Sequence, residues 1–62
     1  MNKMKIYRRE KGLTLKELSK KTNLSVGYLG HLENGSRNNP SMKVLNAIAD
    51  ALDKRVEELF FE

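Results

Sequence analysis

Apolar positions recur at helical spacing along almost the whole chain. Met4 and Tyr7 stand three apart in a basic first segment. Leu15, Leu18, Ser19 and Thr22 fall at i, i+3, i+4 and i+7. Leu29 and Leu32 are three apart, with Leu24 and Tyr28 beside them. Leu45, Ile48, Ala49 and Leu52 repeat the four-position stripe, and Val56, Leu59 and Phe60 close the series. Such spacing puts side chains on one face of a helix. No stretch alternates with period two and β-branched residues are sparse, so the pattern predicts five short helices and no sheet. The inward stripes predict a core of Leu13, Leu18, Leu29, Leu32, Leu45, Ile48, Ala49, Leu52, Val56 and Leu59.

Turn residues fall where these stripes stop. Gly12 is suited to end the first helix just past its last turn. Thr14, with Glu17 three residues on, is a capping box that starts a second helix at about Leu15–Thr22. Asn23 tolerates the left-handed backbone that a tight helix-to-helix turn demands. Ser25 is a good N-cap for a third helix at about Val26–Glu33, which Asn34-Gly35 closes. Arg37 to Pro40 form a polar loop, because Pro40 disfavours helix at Asn39. Ser41 caps the fourth helix. Only Asp53 marks the turn into the fifth. With no repeat, low-complexity tract or linker, residues 1–62 read as a single domain.

Composition narrows the chemistry. Sixty-two residues supply a thin core. Cysteine is absent, which excludes disulfides and thiolate catalysis, and the single histidine, His31, excludes a structural zinc site. An enzyme is not expected: there is no histidine pair, no glycine-rich phosphate loop, and little volume for a closed pocket. No cofactor, metal or small-molecule ligand is therefore expected. No apolar run approaches the roughly 20 residues of a membrane span, and MNKMKIYRRE lacks the apolar core of a signal peptide. The expected location is cytoplasmic, with no membrane partner and no attached ligand-sensing domain.

Charge is lopsided. Residues 1–21 carry eight Lys and Arg (Lys3, Lys5, Arg8, Arg9, Lys11, Lys16, Lys20, Lys21) against Glu10 and Glu17. Residues 22–62 carry four cations against six carboxylates. A basic half beside a mildly acidic half points to an anionic partner on one side.

The second and third helices, joined by a tight turn, are too short to stand alone. Held at a steep angle, the later helix would keep one face free for a DNA major groove. Here the sequence resembles a known family. Residues 8–60 are similar to the phage-repressor/Cro-like (Xre) helix-turn-helix domains. The matching stretches are Arg8-Arg9-Glu10-Lys11-Gly12-Leu13-Thr14, Glu17-Leu18-Ser19, Leu24-Ser25-Val26-Gly27-Tyr28-Leu29, Leu32-Glu33-Asn34-Gly35-Ser36-Arg37, Asn39-Pro40-Ser41, Ala51-Leu52 and Glu57-Glu58-Leu59-Phe60. The resemblance implies an all-α, compact five-helix bundle of the lambda-repressor-like type that regulates transcription by binding double-stranded DNA. Departures are Leu15 for a usual Gln, Ser19 for Ala, Asn23 for Gly, and Lys54-Arg55 before the fifth helix.

The helical wheel and the resemblance together assign roles. Val26, Gly27, Gly30 and His31 point away from Leu29 and Leu32 and are the base-reading candidates, Val26 through a thymine methyl. Two glycines leave few long side chains, so direct readout is expected to be modest, with DNA shape adding specificity. Candidates for the DNA backbone are Lys16, Lys20, Ser25, Tyr28, Arg37, Asn38, Asn39 and Ser41; Tyr28 reads equally as a packing residue. The resemblance also implies an ion pair between Arg8 and Glu33 that sets the angle of the third helix. One half-site gives few contacts, so a homodimer on a palindromic operator is expected, its interface formed by Met42, Phe60 and Phe61. The rival is a protein-interaction module, antitoxin-like or adaptor, on the same fold. Regulation would then come from protein concentration, autoregulation or a partner, which resembles small phage repressors and the controller proteins of restriction–modification systems.

Overall fold

The computed structural model describes residues 2–35 and 40–60. Arg37, Asn38, Asn39 and Phe61 therefore lie outside the described residues. Five helices follow in order: α1 (Met4–Glu10), α2 (Leu15–Thr22), α3 (Val26–Glu33), α4 (Met42–Leu52) and α5 (Val56–Phe60), with no strand among the described residues.

Each boundary has a local cause. The side-chain oxygen of Asn2 accepts the Met4 amide at 3.0 Å and starts α1. Gly12, at φ +71°, ends it, and the amides of Gly12 and Leu13 close onto the carbonyls of Arg9 and Arg8. Thr14 and Glu17 form the expected reciprocal capping box on α2. Ser25 and Ser41 accept the amides of Tyr28 and Val44 and cap α3 and α4. Asp53 takes the left-handed conformation at φ 56° after α4, and the amides of Asp53 and Lys54 fold back onto Asp50 and Ala49. That reversal aims α5 at the bundle. Glu58 starts α5 by accepting the Arg55 amide at 2.8 Å.

The helices enclose Met4, Leu18, Leu29, Leu32, Leu45, Ile48, Ala49, Leu52 and Leu59. Two expected core residues are only partly covered: Leu13 lies in the α1–α2 turn and Val56 opens the short α5, so each packs at the margin. Met4, not expected in the core, is fully buried. Its helix is held beside α5, where the Lys3 amide donates to the Leu59 carbonyl at 2.8 Å. α2 lies against both α3 and α4, and α5 against α4 and α1. This brackets α3 from the inside and leaves its other face in solvent.

Candidate nucleic-acid interface

Everything about α3 depends on the turn before it. Asn23 carries the reversal at φ 63°, its amide donating to the Ser19 carbonyl at 2.8 Å. The Ser19 hydroxyl donates to the Leu24 carbonyl, and the Thr22 hydroxyl both donates to Leu18 and accepts the Leu24 amide. The polar atoms of the turn are thus bonded locally, which fixes where α3 begins. Ser19 is more than a small residue here: an alanine would lack the hydroxyl that holds the turn.

On α3, Leu29 and Leu32 are buried, whereas Val26, Gly27 and His31 are exposed, Val26 by 43%. Gly30 is less open than the other three. A Cβ there would meet Leu15 Cδ1 at 3.8 Å, so this position faces the start of α2. Leu15 is partly buried against the core. Tyr28 is half-buried and packs on the core, the packing role allowed for it above.

The backbone-contact candidates sit around this face in two ways. Lys16 and Lys20 are exposed, one turn apart on α2. Ser25 and Ser41 are both exposed, and both use their hydroxyl oxygen to accept a backbone amide. The hydroxyl protons can still be donated to an anion. Met42, the first residue of α4, is 60% exposed, while Phe60 is partly buried against the core and offers only part of its ring outward.

Arg8 and Glu33 meet as the resemblance implies. Nε donates to Oε2 at 2.6 Å and Nη2 to Oε1 at 3.3 Å, while Nη1 donates to the Leu13 carbonyl at 2.7 Å. Both side chains are nearly sealed, 9% and 6% exposed. The guanidinium therefore joins α1, the α1–α2 turn and the last residue of α3 in one charge-assisted cluster. A second anchor escaped the sequence: Asn2 Nδ2 donates to the Leu32 carbonyl at 2.8 Å.

Other cations are committed elsewhere. Lys11 pairs with Asp53, Arg55 with Glu58 at 3.6 Å, and Lys54 lies 4.6 Å over the Tyr7 ring. Among the described residues Lys5, Arg9, Lys16, Lys20, Lys21 and Lys43 make no ion pair. No group of metal-binding side chains occurs among the described residues, and no helix there is long and apolar enough to cross a membrane.

Comparison with known proteins agrees with this geometry. A helix-turn-helix family model matches residues 4–59. The HTH-type transcriptional regulator SinR of Bacillus subtilis (strain 168) is 37% identical over 60 residues, which cover 97% of this chain and 54% of SinR. The immunity repressor protein of Bacillus phage phi105 is 40% identical over 60 residues, covering 97% of this chain and 41% of the repressor. The chain spans about half the length of the curated relatives it matches. Among solved structures, the N-terminal DNA-binding domain of SinR superposes with a TM-score of 0.88 at 37% identity, over 97% of this chain and 87% of that one. SinR in complex with DNA gives 0.84 at 36% identity, over 89% of this chain and 87% of that one. These relatives are regulators of transcription.

Proposed function

The chain belongs to the helix-turn-helix family, and from that premise we propose that it is a sequence-specific transcriptional regulator that places α3 in the major groove of double-stranded DNA. The observation that carries this reading is the open face of α3, on a domain that superposes on SinR in its complex with DNA. Val26, Gly27 and His31 present themselves to base edges, with Gly30 beside them at the α2 contact. Lys16, Lys20, Ser25 and Ser41 hold phosphates from either side, together with Arg37, Asn38 and Asn39. Tyr28 adds its hydroxyl only if its ring stays packed as seen.

Two copies on a palindrome, about 34 Å apart, supply the affinity that one half-site lacks. Met42 and Phe61, with the exposed edge of Phe60, form the proposed seam. The work is done in the cytoplasm, without catalysis. SinR has also been solved in complex with SinI, which favours a protein partner as the second reading.

Selection of binding sites from random duplex DNA with the purified chain tests the proposal. A palindromic winner, bound with log K falling linearly against log salt, is expected; the slope should be about 0.9 per phosphate contacted. Recovery of no preferred sequence, with no salt-dependent affinity, would favour the protein-interaction reading.

A further inference from the structure

A groove of about 500 Å³ opens at the far end of α3, between it, α1 and the first residue of α2. Leu15 and Gly30 line it, with Glu33 at the α3 end and Lys5, Arg8 and Arg9 along α1. Its charge is unusual for the place. The C-terminal end of a helix carries the negative end of the backbone dipole, and Glu33 adds a carboxylate there. Left alone, that end would repel an anion. Arg8 neutralises Glu33 through two hydrogen bonds. Lys5 and Arg9, exposed and one turn apart on α1, then leave the groove with two cations that no carboxylate of the described residues pairs.

Dimensions suggest what meets these cations. Eight residues make α3 about 12 Å long, and the major groove is about 8.5 Å deep. A helix entering by its N-terminal end brings its last turn to the level of the phosphate walls. Resting on the DNA reading above, we infer that Lys5 and Arg9 form a second phosphate grip. It holds the duplex backbone at the C-terminal end of α3, in addition to Lys16 and Lys20, and reads no base.

Lys5→Gln/Arg9→Gln in the full chain tests this. Affinity for the selected duplex and for a random duplex is measured by fluorescence anisotropy across a salt series. The log–log slope should fall by about 0.9 for each phosphate lost, up to about 1.8. Both duplexes should weaken by the same factor, since backbone contacts carry no sequence information. Lys5→Arg/Arg9→Lys should keep the wild-type slope, and the melting temperature of both variants should match the wild type. An unchanged slope in the Gln variant overturns the inference while leaving the DNA reading intact. So does a variant that loses only an oligoglutamate peptide, which would mark the groove as an acidic-peptide site. A wild-type chain with no salt-dependent duplex affinity overturns both.

Discussion

Replacing Arg8 by Ala is the sharpest probe of how this small domain holds its third helix. The change removes three hydrogen bonds and leaves Glu33, whose side chain is 6% exposed, without its counter-charge. Breaking a buried pair from one side costs about 3–5 kcal/mol, mostly the penalty on the abandoned charge. At roughly 0.05–0.15 kcal/mol per residue, a chain of this length has about 3–9 kcal/mol in total. The single substitution should therefore consume about a third of the stability or more. At about 4–8 °C per kcal/mol, the midpoint should drop by at least about 12 °C. Circular dichroism melting and urea titration measure it. Arg8→Met/Glu33→Leu should lose much less than either single variant, because no charge remains buried. Duplex affinity, measured well below the midpoint, should still fall in the double variant if the pair sets the angle of α3. A wild-type midpoint for Arg8→Ala would refute the reasoning, since the pair would then contribute no more than an exposed one.

Gly27→Ala should change stability and binding in opposite directions. A Cβ there meets nothing within 4 Å and glycine is disfavoured inside a helix, so stability rises by about 0.5–1 kcal/mol. Duplex affinity should fall if the backbone approaches the groove closely, and unchanged affinity in a binding titration would remove Gly27 from the contact face. Asn23→Ala should lose about 1–2 kcal/mol at its left-handed position, whereas Asn23→Gly should stay near wild type in the same melts. Thr14→Ala should lose about 1 kcal/mol by opening the capping box, with Asn23→Gly as a neutral reference. Acid should destabilise the fold through the caps. The Thr14 backbone and hydroxyl hold Glu17 below its ordinary pKa of 4.5, and the Arg55 backbone does the same for Glu58. Lys11 lowers Asp53 from 3.8. Carboxylates depressed in the folded state stabilise it above their ordinary values, and that contribution disappears as pH falls through the folded values. Melting temperature should thus decline below those ordinary values, and Glu17→Gln should make the decline shallower.

The local architecture was legible because capping is a short-range problem. Thr14, Ser25, Ser41, Asn23 and Gly12 do what their chemistry predicts, and α2 and α3 run over the expected residues. Positions set by packing between distant segments were harder. Met4 sits among basic residues and spaces only with Tyr7, yet it is sealed because the chain before α1 bonds to α5. Leu13 and Val56 have the right period but lie at element ends, where neighbours cover one side only. Gly30 follows the outward wheel positions, but the first residue of α2 reaches over it. Asn2 and the groove beside Lys5 and Arg9 carry no motif at all, since each is made by helices that meet only in the fold.

Amide chemical-shift mapping on the isotope-labelled chain, titrated with its selected duplex, tests the central claim most directly. The account predicts that the largest shifts fall on Val26, Gly27 and His31 and on the capped starts of α2, α3 and α4, above any on α5. Shifts concentrated on α4 and α5, with the outer face of α3 unmoved at saturation, would contradict it.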